Sequence, residues 1–158
     1  MNKSRSIFIK KTKEWTEYEV SFVSEVLEHT FKNMLNGNEL NHEISVLLTN
    51  DEEIRELNKK YRNIDKPTNV LSFSITSDTT VNELRMIGDI VISREKILSD
   101  AKDQNKTFND HLAHIVIHGF LHLLDFTHDN NEDSIIMENK EVELLKMIDI
   151  SNPYGDRI

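Results

Sequence analysis

The stretch from Thr107 to Leu124 (TFNDHLAHIVIHGFLHLL) constrains this chain more than any other. Thr107, with Asp110 three residues on, is a helix-start signal. Leu112, Ile115, Val116, Phe120 and Leu123 then cover most of the helix circumference, so the helix belongs in a core. One stripe differs. At about 100° per residue, His111, His114, His118 and His122 fall near about 0°, 300°, 340° and 20° on one continuous line. His118 and His122 are one turn apart, roughly 6 Å along the axis, and both can point at one ion. His128 lies beyond the helix end, so the chain must turn before it supplies a third nitrogen. The pattern H-x3-H-x5-H offers three neutral imidazoles and an open fourth position, the ligand set of a hydrolytic zinc site. On spacing alone, the competing reading is a helix with surface or hydrogen-bonded histidines. The H-E-x-x-H motif of zinc proteases is absent, since Gly119 follows His118. With no side chain, Gly119 lets a strand or substrate approach. Nothing marks His111 and His114 as ligands, and they are expected to be partly exposed polar contacts.

Composition narrows the chemistry further. The 158 residues include no cysteine, which excludes disulfides, Cys-ligated zinc, iron–sulfur clusters and a cysteine nucleophile. Four glycines (Gly37, Gly88, Gly119, Gly155) form neither G-x-G-x-x-G nor a Walker loop. A formal charge of −9 argues against a general polyanion-binding surface. Any nucleic-acid contact must use a local basic groove, and Lys59, Lys60, Arg62 and Lys66 make one segment basic. The alternative for these charges is complementing a helix dipole. No signal-peptide core and no 18-residue apolar run occur, so the expectation is a cytoplasmic protein with no membrane partner. The length fits one domain, residues 1–158.

Periodicity predicts the order β-α-β-α-β-β-α-α-α. Strands are expected over Arg5–Lys11, Glu43–Leu48, Asn69–Ile75 and Ile87–Ser93, the last two separated by the polar segment Ser77–Asn82. A helix opens at Thr16, boxed with Glu19, and ends at Asn36-Gly37. A second runs from Asp51 to Tyr61, capped by Asn50 and broken at Lys66-Pro67. Helices near Arg94–Gln104, Thr107–Leu124 and Asp133–Met147 finish the chain, the last with Ile135, Ile136, Val142 and Leu145 facing inward and acidic residues coating it. Trp15 and Phe22 read as packing residues. The fold class is α+β, a small mixed sheet of about four strands packed with helices.

Three ordered blocks give the chain a resemblance. HGFLHLLDFTHD (His118–Asp129), LNKKYRNIDKPTNVLSF (Leu57–Phe73) and IGDIVIS (Ile87–Ser93) resemble the signatures of the YbeY endoribonucleases, ribosomal-RNA maturation factors of bacteria and organelles. The match runs over roughly residues 44–154, including Pro153-Tyr154. The resemblance implies a compact α+β fold, one divalent ion (zinc) on His118, His122 and His128, and hydrolysis of single-stranded RNA. It implies that Arg62 handles the scissile phosphate beside the Pro67-Thr68 turn. It also implies late maturation of small-subunit ribosomal RNA at the 3′ end and ribosome quality control, with the small subunit and its proteins as partners and no DNA. The chain departs from the family pattern at Asp125 (a glycine), Thr127 (an aspartate), Asn69 (an aspartate) and Ile75 (often a proline). Asp tolerates the left-handed turn a glycine supplies. Loss of an orienting aspartate at 127 would cost ten- to a hundredfold, the range of ~10–100 for outer-shell partners, with Asp129 a substitute. Two other readings compete with the nuclease: a ribosome-assembly factor with a structural metal, and a metallohydrolase of another substrate class. Open coordination favours an enzyme, and the missing Glu after His118 disfavours peptide cleavage. No spacing singles out the general acid or base.

Overall fold

In the computed structural model, which describes residues 5–35, 41–75 and 84–155, the helix starts are set by side-chain caps. Thr16 accepts from the Glu19 amide while Glu19 accepts from the Thr16 amide, a complete capping box that opens α1 (Glu17–Met34). Asn50 caps α2 (Asp51–Arg62), Ser93 caps α3 (Arg94–Asp103) and Thr107 caps α4 (Phe108–Leu123). Asn130 caps α5 (Asn131–Lys146), so this helix begins before the expected Asp133. The expected stop at Asn36-Gly37 and the polar segment Ser77–Asn82 lie outside the described residues.

The strands β1 (Arg5–Lys11), β2 (Asn41–Thr49), β3 (Val70–Ser74) and β4 (Leu84–Ser93) form one sheet in the order β1-β2-β4-β3. β1 with β2 and β2 with β4 are parallel, and β3 joins β4 antiparallel as an edge strand. This is the expected α+β class with a mixed four-stranded sheet. Alternation along β4 splits the apolar residues between two faces. Ile90 and Ile92 pack in the main core with Val23, Leu27 and Phe31 of α1 and Leu112, Ile117 and Phe120 of α4. Val91 turns to the opposite face, where α2 lays Ile54 on Leu71. Trp15 is buried and its indole N–H donates to the Thr49 carbonyl at 2.8 Å, while Phe22 packs at the core margin, both as expected.

Two local features bring the candidate site together. Gly88, at φ +150°, sits where the β2–β4 register slips, and a Cβ there would stand 2.3 Å from the Phe73 carbonyl oxygen. Gly119 lets α4 lie against β3: a Cβ would meet Val70 at 3.1 Å and Ser72 at 3.2 Å, and the Ser72 hydroxyl donates to the Gly119 carbonyl at 3.0 Å. The strand that approaches Gly119 is therefore β3.

One expectation about packing is overturned. Ile135 and Ile136 are each 58% exposed, and α5 buries Met137, Glu141 and Leu144 beside the expected Leu145. Those positions follow the i, i+4, i+7, i+8 rule once Glu141 is counted as an interior residue. A carboxylate on the buried face rotates the helix away from the stripe that hydropathy alone selects.

Candidate metal centre

The end of α4 turns the chain in a way that gathers three histidines. The Phe126 amide donates to the Leu121 carbonyl and the Asp125 amide to the His122 carbonyl, both at 3.1 Å. This is a Schellman cap, and Asp125 occupies its left-handed position at φ +70°. The aspartate thus takes the turn expected of it in place of glycine. The chain doubles back and stacks the His128 ring on His118, with centroids 5.7 Å apart and planes at 16°. His122 and His128 rings lie 5.0 Å apart. One ring nitrogen from each of His118, His122 and His128 falls within 4.8 Å of the others, near enough to share one ion.

Hydrogen bonding fixes which nitrogens face inward. His122 Nδ1 lies 2.9 Å from the Phe126 carbonyl, and His118 Nδ1 lies 2.7 Å from Glu141 Oε2. A carbonyl and a carboxylate can only accept, so both rings carry their proton on Nδ1. The two Nε2 lone pairs then face each other at 3.0 Å. Two acceptors at that distance repel unless a cation lies between or beside them. The donor set therefore fits a divalent ion held by neutral imidazole, leaving the exposed side open. Burial lowers the pKa of His122, reinforced by the neighbouring His118 and His128, which favours the neutral form a metal requires.

Beside this cluster runs a groove of about 630 Å³ between the α2–β3 loop, the outer edge of β3 and the turn after α4. Arg62, Lys66, Pro67 and Thr68 line one wall, with His122, Asp125 and His128 on another. Arg62 Nη2 donates to the Ser72 carbonyl at 2.6 Å, and its guanidinium stands 5.2 Å from the Phe73 ring. The basic segment divides: Arg62 and Lys66 line the groove, while Lys60 lies over the Tyr61 ring at 5.1 Å.

The other departures from the family pattern have local partners. The Thr127 hydroxyl donates to Asp133 Oδ2 at 3.2 Å, and the Asn69 amide donates to Asp100 Oδ2 at 3.2 Å. The Ile75 N–H donates to the Ile87 carbonyl at 3.1 Å, a bond proline could not make.

His111 and His114 correct an expectation: they are 2% and 8% exposed, not partly exposed. Both lie on the side of α4 that α3 and α5 cover. His114 Nε2 meets Glu141 Oε1 at 2.6 Å, and burial, aided by His114, pushes the His111 pKa down to about 4. The residue that sequence reasoning missed is Glu141, wholly buried behind the cluster. Burial alone would raise its pKa; the bonds from His114 and His118 outweigh that and bring it down to about 2. Its only sequence signal is an acidic residue on an apolar stripe of α5.

The chain is similar to known proteins over most of its length. The family model described as endoribonuclease YbeY matches residues 7–149. An endoribonuclease YbeY of Francisella tularensis subsp. tularensis (strain WY96-3418) is 42% identical over 117 residues, 71% of each chain. Another, of strain FSC 198, is 41% identical over 125 residues, 75% of this chain and 73% of that one. A Thermotoga maritima protein solved in solution superposes with a TM-score of 0.61 at 28% identity, covering 96% of both chains. Family match, sequence identity and a shared fold over nearly the whole length converge: the chain belongs to the endoribonuclease YbeY family of phosphodiester hydrolases.

Proposed function

We propose that this protein cuts single-stranded RNA, with one divalent ion, zinc, held by His118, His122 and His128, and with Arg62 engaging the scissile phosphate. The observation that carries the reading is the pair of facing Nε2 lone pairs of His118 and His122 beside a groove that His122, His128 and Arg62 line. A bound divalent ion supplies an acidified water and neutralises phosphoryl charge. The chain's own residues do the rest. Arg62, held by Ser72, keeps a permanent charge and a forked set of N–H donors suited to two phosphate oxygens. The Phe126 carbonyl and Glu141 hold the two helix histidines in the tautomer that leaves Nε2 free. The groove is open rather than deep, which suits an extended unpaired strand better than a closed pocket for a small molecule. Within this reading, the substrate is small-subunit ribosomal RNA, cut during maturation of its 3′ end, with a further part in ribosome quality control in the cytoplasm. Among the described residues no helix is long and apolar enough to cross a membrane.

The test is an assay of purified, metal-quantified protein on single-stranded and duplex RNA, with His118→Ala as the control against contaminating nuclease. Cleavage of single strands alone, lost together with zinc in His118→Ala, is the expected result. Cleavage that survives His118→Ala, or zinc content unchanged in all three single His→Ala variants, overturns the reading. A protein that binds zinc and the small subunit but cuts no RNA is an assembly factor instead.

A further inference from the structure

Three segments converge on one carboxylate. Glu141 of α5 is 0% exposed, and each of its oxygens is occupied. Oε2 accepts from His118 Nδ1 at 2.7 Å. Oε1 accepts from His114 Nε2 at 2.6 Å and from the Tyr154 hydroxyl. The Tyr154 ring meets His114 edge-on at 5.4 Å. Tyr154 belongs to a turn near the end of the chain, where its amide donates to Asn152 Oδ1 at 2.8 Å. That turn is tied down from the α3–α4 loop, since Lys106 Nζ donates to the Pro153 carbonyl at 2.8 Å.

A wholly buried carboxylate is tolerated only when donors surround it. This one accepts from three groups, and as an acceptor it dictates where its neighbours carry protons. His118 must present Nδ1–H to Glu141 and so leaves Nε2 as a lone pair toward His122. If the grip on Glu141 slackens, the His118 ring regains the choice of tautomer and of rotation. His114 and Tyr154 supply that grip from the far side.

We propose that Glu141 is a positioning residue for the metal centre, clamped by His114 and Tyr154, so that the C-terminal turn sets how tightly the three histidines hold zinc. The proposal rests on the three-histidine reading above. The Pro153-Tyr154 segment thereby closes the shell behind a ligand that precedes it by more than thirty residues.

The experiment measures zinc affinity of the full-length chain by competition with a chromophoric chelator, and the His118 tautomer in zinc-free protein by nitrogen-15 NMR. The parent should show His118 protonated on Nδ1. Glu141→Gln, with one acceptor oxygen in place of two, should bind zinc roughly ten- to a hundredfold more weakly. Tyr154→Phe should weaken binding severalfold, with a zinc-free melting temperature near the parent's, and its His118 should gain Nε2–H tautomer. Parent-like affinity in both variants overturns the proposal, as does a parent His118 protonated on Nε2. If Glu141→Gln fails to fold, Tyr154→Phe decides by the same affinity and tautomer readings. No RNA enters the measurement, so a chain that cuts none leaves this proposal standing, and parent-like affinity in the variants leaves the nuclease reading standing.

Discussion

Arg62 stands on an exposed helix end, and its anchors decide what its loss would do. One guanidinium nitrogen is spent on the Ser72 carbonyl, and the plane lies over Phe73. The side chain itself is exposed, so removing it deletes one hydrogen bond to an edge strand, worth about 1 kcal/mol. A charged contact strengthened in the transition state is worth more, about 3 kcal/mol or roughly a hundredfold in rate. Arg62→Ala should therefore keep its zinc and melt near the parent while RNA cleavage falls about a hundredfold. Arg62→Lys should recover only part, because an ammonium keeps charge but loses the fork. A variant that melts far lower or loses zinc makes Arg62 structural; one that cuts at the parent rate removes it from the mechanism. Steady-state cleavage, elemental analysis and thermal melting together decide the case.

At the scale of elements, legibility follows the range of the interactions involved. Thr16, Asn50 and Thr107 are readable because a cap is settled within four residues. The i, i+4 pair His118 and His122 is readable for the same reason, whereas His128 joins them only through a Schellman turn, which spacing suggests and the resemblance makes specific. The buried face of α5 is not local. It depends on His114 and His118 of α4 and on Tyr154, so a pattern built on hydropathy puts Ile135 and Ile136 inside and leaves Glu141 out. Gly88 lies between these cases: the block IGDIVIS marks it, but only the register slip against β2 and the closeness of Phe73 explain it. That close approach yields a test. Gly88→Ala must move a backbone carbonyl and adopt a φ that L residues rarely take, which should cost about 3 kcal/mol. For a chain of this length the melting temperature should drop by roughly 10 °C. Because β3 carries the Ser72 anchor for Arg62, RNA cleavage should fall with it. A Gly88→Ala protein melting within about 2 °C of the parent would show that β3 can retreat without penalty.

For the whole molecule, acid stability depends on groups far from the acidic surface. His111 is buried beside His114, and its nearest carboxylate, Asp100, lies 3.8 Å away. Burial first, and then the charge of His114, hold its pKa near about 4, below the ordinary 6.5. Between those two values the unfolded chain binds a proton that the folded chain refuses. Stability therefore rises with pH across this window, by about 1.4 kcal/mol per unit for one proton. The contribution is fully present above pH 6.5 and is lost as pH falls to about 4. His122, also lowered by burial, adds to the same loss in zinc-free protein. Glu141 follows in a lower window: with its pKa brought from 4.5 to about 2, its contribution holds above 4.5 and fades as pH falls through 2. Zinc-free protein, kept so by a chelator, should thus lose stability in two consecutive steps on acidification. His111→Phe isolates the first, since the ring keeps its shape and loses its proton site. Denaturant unfolding from pH 8 to 3 should give the variant a shallower curve between about 6.5 and 4, and a parallel one above. Parallel curves between about 6.5 and 4 as well would mean that His111 takes its proton in the folded chain as readily as in the unfolded one, and that the interior around α4 admits charge.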